Sequence, residues 1–372
     1  MTQAPTILEH TTICKQPGRY IGWPTIDRGP DGTLYAVFSG DRDAHVCPFG
    51  KTFMIRSEDG GETWSDPVLI TDSPLDDRDA GLCACADGTL VVSWFTAYSD
   101  LRYLPDDAED AMRQRWERRL RAISASDLAA WTHVSYDVPR GHWLRRSFDG
   151  GRTWEDPIRA PGTTPHGPIQ LSDGRLFLLG NTGHDGLYRT TVIAASISED
   201  EGHTWKVVGT IPMFPTVETL DSEGYAYLVE PHVVEVSPGH LLGMARYETR
   251  PRAEGRTRSM LWQFTSKDGG RTWTEPTPTE ILGKPPHLLK LEDGRILVTY
   301  GYRHAPFGER ACVSEDGGNT WGPEIILRAN APNADLGYPA TVQLDDGTLL
   351  TVYYQIEPPD ETTSLMLTRW RL

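Results

Sequence analysis

One eight-residue pattern constrains this chain more than any other feature. Ser-x-Asp-x-Gly-x-Thr-Trp occurs five times in 372 residues, beginning at Ser57, Ser147, Ser198, Ser266 and Ser314. Its Asp-Gly and Gly-Gly pairs favour the positive φ angles of a tight reversal. The Ser, Asp and Thr side chains can bond the backbone of the turn, and the Trp can pack beneath it. We interpret the octet as a staple for a hairpin, and not as a source of catalytic carboxylates.

A second turn motif alternates with the octet and precedes an apolar strand each time. Its six turn glycines are Gly32, Gly88, Gly174, Gly239, Gly294 and Gly347. The alternation predicts an all-β fold, a six-bladed β-propeller of four-stranded antiparallel blades that forms one domain over residues 1–372. Because the sixth blade has no octet, we expect its third strand near Thr363–Trp370 and its outer strand within Thr6–Cys14. This closure removes an exposed sheet edge.

Blade 2 departs from the regular spacing. Asp87 and Ser147 are 60 residues apart, more than twice the distance in the other blades. The excess, about 99–140, contains a charged segment with acidic residues first and basic residues last, as a helix dipole favours. We expect a helical insertion there. It is a lid over a pocket, a contact in a homo-oligomer, or a solvated helix.

The net charge disfavours some classes of binding partner, and the cysteine content predicts the cellular compartment. The net charge of −16 disfavours nucleic acid and anionic membranes as partners. The N-terminal residues lack the basic and apolar regions of a signal peptide, and no apolar run is long enough to span a bilayer. Five scattered cysteines, an odd number, predict reduced thiols and a cytoplasmic location. No cofactor is predicted.

The inner strands of a propeller converge on its axis, so equivalent residues near their starts can meet. Nine positions before each turn glycine stand Trp23, Asp79, Pro165, Glu230, Pro285 and Tyr338. His232 and His287 lie two residues further along the same strand face, whereas His166 is one position out of register. These polar residues predict a pocket. A metal site is not predicted, because the chain offers no pair of ligands at a local metal spacing.

The octets and the pocket residues together resemble the sialidase superfamily, over essentially the whole chain. Leu228-Val-Glu-Pro-His and the later Met244-Ala-Arg are similar to the sialidase stretch whose Glu activates the nucleophile and whose Arg holds the substrate carboxylate. The resemblance assigns these roles to Glu230 and Arg246. It also implies that Arg310 binds the carboxylate and that Tyr338 is the nucleophile.

These residue types suit one another chemically. A tyrosine has an ordinary pKa near 10, so it needs an adjacent base to attack. A neutral nucleophile avoids repulsion with an anionic sugar, and sialidases depart from the usual two-carboxylate mechanism in this way. Arginines bind a carboxylate through two parallel hydrogen bonds.

Blade 1 differs from the sialidase pattern in two places. Gly22, next to Trp23, occupies the position of the first carboxylate-binding Arg. The position of the general-acid Asp holds His45, with Asp43 nearby as an orienting group or as the acid itself. Three other arginines are candidates for the role of the missing one. They are Arg42, Arg78 and Arg303.

Three functions follow from these observations. The first is a sialidase-like exo-glycoside hydrolase that cleaves a terminal, acidic sugar with Tyr338 and Glu230. The second is a His-dependent glycosidase or lyase on a different sugar, such as a uronate or a furanoside, and the changes in blade 1 favour it. The third is a propeller that binds glycans without cleaving them. A carbohydrate is the predicted partner in all three.

Overall fold

The strands form six separate four-stranded antiparallel sheets, as the alternating turns predicted. The structure, a computed structural model, describes residues 5–97, 99, 101–123, 141–182, 192–212, 225–250 and 260–372. Within each blade the strands are given from the axis outward. Blade 1 consists of β2 (Tyr20–Arg28), β3 (Leu34–Arg42), β4 (Lys51–Ser57) and β5 (Val68–Thr71), and blade 2 of β6 (Asp76–Ala84), β7 (Leu90–Ala97), β8 (Gly141–Ser147) and β9 (Ile158–Arg159). Blade 3 consists of β10 (Ile169–Gln170), β11 (Leu176–Asn181), β12 (Ile193–Ser198) and β13 (Lys206–Thr210).

The last three blades follow the same order. Blade 4 consists of β14 (Tyr225–Ser237), β15 (His240–Arg250), β16 (Met260–Ser266) and β17 (Thr277–Leu282), and blade 5 of β18 (Pro286–Lys290), β19 (Ile296–Tyr302), β20 (Gly308–Ser314) and β21 (Ile325–Ile326). Blade 6 consists of β22 (Gly337–Gln343), β23 (Leu349–Ile356), β24 (Thr363–Arg371) and β1 (Thr6–Cys14). The N-terminal β1 pairs antiparallel with β24, which confirms the predicted closure of the sixth blade. Ring closure covers what would be the open edge of that sheet.

The apolar core lies mainly between neighbouring blades. Between blades 1 and 2, for example, Met54 and Ile70 pack with Leu82 and Trp94 in one buried cluster. Inner strands of adjacent blades also contact one another around the axis, as β2 does with both β6 and β22. Each blade therefore buries both faces of its sheet, which fixes the strand register strongly.

The octets have the hydrogen bonds of hairpin staples. In the blade 2 copy, Asp149 accepts bonds from the Ser147 hydroxyl at 2.9 Å and from the Thr153 hydroxyl at 2.6 Å. The main-chain N–H of Thr153 donates to the same carboxylate at 2.9 Å. The Thr153 bonds lower the pKa of Asp149 to about 2. The octet carboxylates are thus consumed by their own turns.

The insertion in blade 2 begins with a short 3-10 turn, Leu101–Tyr103, followed by helix α1, Asp110–Ala122. The helix was predicted from the order of its charges, and it has an acidic first turn and basic residues in its last turn. Trp116 is its one buried residue. Residues 124–140 of the predicted insertion lie outside the described residues. No described helix is long and apolar enough to cross a membrane.

Four inner strands contain the same backbone irregularity near their starts. Trp23, Asp79, Glu230 and Tyr338 have φ angles of 52–54°, in the left-handed region. Each coincides with a shift in the register between the inner strand and its neighbour. A left-handed conformation costs a residue with a side chain about 1–2 kcal/mol. Such strain persists where the surrounding structure imposes it, and it clusters at functional sites.

Besides its left-handed backbone conformation, Asp79 has a second unfavourable feature, the burial of its carboxyl group. The residue is 7% exposed, and its Oδ1 has no hydrogen-bond partner. Burial, together with the charge of Glu230, raises the pKa of Asp79 to about 6 even though Arg78 is close. The folded protein therefore holds a carboxylate that it solvates poorly near neutral pH.

Asp79→Asn is expected to raise the free energy of unfolding by about 1–3 kcal/mol at about pH 7. The amide carries no charge to bury, and asparagine tolerates a positive φ. In the wild type the unfolded Asp79 ionises near pH 4, whereas the folded side chain stays protonated up to about pH 6. The ionisation penalty therefore grows as the pH rises through this window.

Urea unfolding of both proteins at about pH 4 and about pH 7 measures this difference. The advantage of the variant should shrink at the lower pH. An equal stability difference at both values would show that ionisation of Asp79 is not the cause.

Candidate active site

The left-handed residues of blades 4 and 6 meet through a short hydrogen bond. The Tyr338 hydroxyl donates to Glu230 Oε1 at 2.7 Å. Arg246, on the strand next to that of Glu230, donates from one terminal nitrogen to both Glu230 oxygens at 2.8 Å. Tyr338 is 4% exposed and the side chain of Glu230 is 18% exposed. The pair that the sequence placed at equivalent positions of two distant blades is therefore in direct contact.

The surroundings keep the phenol of Tyr338 protonated. Burial raises its pKa well above the ordinary value, and the negative charges of Glu230 and Asp79 add to this effect. Arg246 and Arg303 act in the opposite direction. Tyr338 therefore ionises only as a base removes its proton, and Glu230 is positioned to be that base.

Arg246 is bound by acidic side chains on both sides. Besides Glu230, it reaches Glu248 Oε1 through Nε at 2.7 Å and through a terminal nitrogen at 2.6 Å. Lys284 donates to the same Glu248 oxygen at 2.7 Å. Despite burial, the charges of Arg246 and Lys284 lower the pKa of Glu248 to about 2. Arg246 holds the carboxylate of Glu230 in this structure, and its role toward a substrate carboxylate stays a prediction.

His45 lies beside this group and is held by a carboxylate that the sequence did not reveal. Its Nδ1 is 2.9 Å from Asp335 Oδ1. The hydroxyls of Tyr20 and Tyr354 donate to the same Asp335 oxygen at 2.8 and 3.1 Å. Since Asp335 precedes Tyr338 by three residues, its location just before an inner strand was the signal that could have identified it.

Nε2, the other nitrogen of His45, can act on a ligand, because the His45 side chain is 46% exposed. Partial burial lowers the pKa of His45, and the positive charges of Arg78 and Arg303 lower it further. The Asp335 carboxylate raises it, but by less. A carboxylate at Nδ1 also selects the tautomer whose Nε2 can exchange a proton.

Trp23 forms the aromatic wall of the site. Its ring centroid lies 6.4 Å from that of Tyr338 and 5.0 Å from that of His45. The guanidinium carbons of Arg42 and Arg78 lie 4.8 and 4.6 Å from the Trp23 ring. Trp23 is 1% exposed, and its contacts with these two cations fix it beside the reacting residues.

Arg42 and Arg310 do not present free guanidinium groups to the site. Arg42 is fully buried and binds both oxygens of Asp76, at 2.5 and 2.9 Å. Arg310 is 1% exposed and donates to main-chain oxygens, including that of Pro306 at 2.9 Å. It also lies 3.4 Å from Glu324, which follows the blade 5 octet. These partners occupy the Arg310 guanidinium in this structure, and its binding of a substrate carboxylate stays a prediction.

Asp43 is also occupied elsewhere. Its side chain is 2% exposed, and Arg19, Arg115 and Trp116 all donate to its carboxylate. Although burial opposes ionisation, the bonds from Arg115 and Trp116 lower the pKa of Asp43. A carboxylate held as an anion by three donors is a poor proton donor. Of the two predicted acid candidates, the geometry favours His45.

Arg78 and Arg303 are the arginines with donors to spare. In the described part of the chain Arg78 makes no hydrogen bond, and its Nε is 3.9 Å from Asp76 and 4.0 Å from Asp79. Arg303 uses Nε and one terminal nitrogen on the Leu336 carbonyl, at 3.2 and 2.8 Å. The positive charges of both arginines act on His45. An anionic ligand beside His45 would therefore meet two guanidinium groups.

Three predicted histidines form a buried cluster next to Tyr338. The ring centroids of His166, His232 and His287 are 4.6–5.4 Å apart. His232 Nδ1 accepts from the Leu288 N–H at 2.9 Å, so its proton is on Nε2. Burial lowers the pKa of His232 to about 3 and keeps the cluster neutral.

These histidines were predicted to bind substrate, and the structure brings them together in a layer that is 1–7% exposed. His166 joins the cluster although it was counted one position out of register, because in blade 3 the left-handed residue is the following Gly167. Within the described ranges, no group of His, Cys, Asp or Glu side chains has the geometry to hold a metal ion.

Comparison with known proteins adds a family to this geometry. The family model of the BNR repeat-like domain matches residues 109–351. A sialidase of Bacteroides fragilis is 24% identical over 356 residues, which cover 87% of this chain and 57% of that protein. The chain thus spans little more than half the length of this curated relative.

Two solved structures show the same fold. A protein of unknown function from Dyadobacter fermentans superposes with a TM-score of 0.77 at 23% identity, over 99% of each chain. The α-L-arabinanase of Penicillium chrysogenum superposes with a TM-score of 0.60 at 17% identity, over 98% of each chain. The family match covers more than half of the chain, so the protein belongs to the BNR repeat-like domain family.

Proposed function

We propose that this protein is a sialidase-like exo-glycoside hydrolase that cleaves a terminal, acidic sugar. The observation that carries the proposal is the 2.7 Å hydrogen bond from Tyr338 to Glu230, made by two strained residues beside the His45–Asp335 pair. A nucleophile in contact with its base, and an acid/base group on the other side, are the parts a two-step glycosidase needs. The sialidase of Bacteroides fragilis and the Penicillium arabinanase support this class of reaction.

The first step joins the sugar to the enzyme. The Tyr338 oxygen bonds to the anomeric carbon while Glu230 takes the phenol proton. The bond from that carbon to the leaving oxygen breaks, and protonated His45 gives this oxygen a proton. In the second step water replaces the tyrosyl oxygen, His45 takes the proton of the water, and Glu230 returns its proton to Tyr338.

The charges of the site favour a sugar that carries a carboxylate. Arg246 and Arg42 are occupied by acidic side chains, but Arg78 and Arg303 have unused donors and lie against the rings of Trp23 and Tyr338. A guanidinium pair suits a planar carboxylate. A carboxylate nucleophile would repel such a substrate, whereas the protonated Tyr338 does not.

A lyase acting on a uronate is the second candidate, and one observation favours it. The pKa of His45 is lowered, so the imidazole is neutral at about pH 7 and its Nε2 can accept a proton. A base next to two arginines could remove the proton beside a carboxylate that they bind. The bond to the leaving oxygen would then break by elimination, with Tyr338 as the proton donor.

Replacing the nucleophile or its base is expected to abolish turnover. Tyr338→Phe and Glu230→Gln should each lower kcat by at least about 10³-fold on the best substrate in a panel of aryl sialosides, uronides, arabinosides and rhamnosides. Tyr300→Phe is the matched control, since Tyr300 is an equally buried tyrosine on β19. Wild-type turnover by either site variant would contradict the assignment of the pair.

The pH dependence separates the hydrolase from the lyase. If His45 is the acid, kcat/KM should fall as the pH rises through a pKa below about 6.5. Asp335→Asn removes the carboxylate that raises this pKa, so the descending limb should move to lower pH. If His45 is the base, the same pKa should govern an ascending limb. A pH–rate profile of both proteins on the same aryl glycoside distinguishes the two.

The arginines are expected to select for the acidic group. Arg78→Gln and Arg303→Gln should each lower kcat/KM on an aryl uronide or sialoside by about 10–100-fold, the value of a charge-assisted hydrogen bond. On a neutral aryl glycoside of the same ring size the loss should be small. Arg310→Gln is the comparison, because Arg310 is engaged by main-chain oxygens. Equal losses on acidic and neutral substrates would argue against a carboxylate site.

A further inference from the structure

The segment that carries His45 is a loop, residues 43–50 between β3 and β4, and it has little secondary structure of its own. Acid/base chemistry requires the imidazole at a defined place, because a misplacement of about 1 Å can lower the rate about 100-fold. The imidazole is 46% exposed on its side chain, so its own packing holds it only in part. The loop must be held by its other residues.

Asp43 ties this loop to helix α1. Arg115 donates to both Asp43 oxygens, at 2.6 and 3.1 Å, and Trp116 Nε1 donates at 2.7 Å. The Asp43 side chain is 2% exposed and the Arg115 side chain 39% exposed, so the carboxylate side of this contact is shielded from water. Hydrogen bonds to a buried charge are the stronger class. The contact therefore restrains the loop two residues from His45.

Apolar packing reinforces the same contact. Cys47 and Phe49 of the loop form a buried cluster with Trp116, which is fully buried. The guanidinium carbon of Arg119 lies 4.2 Å from the Phe49 ring. Trp116 is the one buried residue of α1, so the contact with the His45 loop is the main packing that the described helix makes. The helix adds little to the propeller core itself.

The opposite side of the loop is held by blade 2. Arg42 donates to the His45 main-chain oxygen at 3.1 Å and to both oxygens of Asp76. The N–H of Asp77 donates to the Gly50 carbonyl at 3.0 Å. The loop is thus fastened on one side by a sheet and on the other by an element outside every blade. Only the helix side depends on the insertion.

We propose that helix α1 is a positioning element for His45, acting through Arg115 and Trp116 on Asp43. The inference rests on the proposed role of His45 as the acid/base. Asp43 is then a positioning residue, which explains why an acidic side chain stands so close to the candidate acid and yet has no free oxygen. Loosening α1 should impair the proton transfer of His45 and leave the Tyr338–Glu230 contact intact.

The test uses two aryl glycosides of the sugar that the wild type cleaves, one with a 2,4-dinitrophenyl and one with a 4-methylumbelliferyl leaving group. The dinitrophenolate departs without a proton, whereas the umbelliferone needs the acid. The quantity to compare is kcat/KM, because it reports the first step and not the hydrolysis of the intermediate, in which His45 acts as a base on either substrate. His45→Ala should lose about 10²–10⁴-fold in kcat/KM on the umbelliferyl substrate and much less on the other. Arg115→Ala and Trp116→Phe should show the same preference, with a loss of about 10-fold or more on the umbelliferyl substrate.

Arg121→Ala is the matched control on the same helix, because the Arg121 side chain is 81% exposed. It should leave both rates unchanged. Equal losses of Arg115→Ala on the two substrates, or no loss, would overturn the proposal. Trp116→Phe retains most of the apolar volume, so it tests the hydrogen bond to Asp43 even where a larger change disrupts folding.

A measurement without substrate separates this inference from the proposed function. Histidine-ring NMR of the full chain, with the His45 signal assigned through His45→Gln, reports the pKa and tautomer of His45. Arg115→Ala should shift that titration, and Arg121→Ala should not. An unshifted titration would overturn the positioning role. If His45→Ala itself shows no dependence on the leaving group, the proposed function fails, and the NMR result decides the positioning role alone.

Discussion

A left-handed residue at the same point of four inner strands creates the geometry on which the site depends. The conformation interrupts each strand register, and it brings Tyr338 of blade 6 within 2.7 Å of Glu230 of blade 4. Trp23 and Asp79 occupy the corresponding points of blades 1 and 2. Ring closure and the packing between blades impose this conformation, since an isolated strand would relax from it. The rigid propeller thus holds these residues in a strained backbone conformation and directs the side chains of Tyr338 and Glu230 toward each other.

The arginines around these four left-handed residues differ in what they can do. One holds an acidic side chain of the protein, and others have donors left for a ligand. Arg246 is paired with Glu230 and Glu248, and buried ion pairs of this kind fix geometry more than they stabilise the fold. Arg78 and Arg303 are left with unused donors. The guanidinium carbon of Arg303 lies 5.7 Å from the Tyr338 ring, and that of Arg78 lies 4.6 Å from the Trp23 ring. The arrangement places these two cations next to the prepositioned base and nucleophile.

His45 is held from further away than the residues it acts with. Asp335 sets its tautomer directly, whereas the loop that carries it depends on Asp43 and helix α1. The insertion in blade 2 therefore contacts the site only indirectly, through the loop that carries His45. The charged helix, whose one fully buried residue is Trp116, thereby has a role at the site.

The sequence by itself determined the six-bladed architecture, the ring closure through Thr6–Cys14, and the Tyr338–Glu230 pair, because turn residues and strand spacing are local and repeat. Tertiary structure decided which charges are free. Asp43 and Arg310 carried suitable chemistry at suitable positions. Arg115, distant along the chain, occupies Asp43, whereas main-chain oxygens that include that of the nearby Pro306 occupy Arg310. Asp335 entered the site from a loop without a motif. A side chain's availability depends on what packs against it, and that is settled only when the blades close.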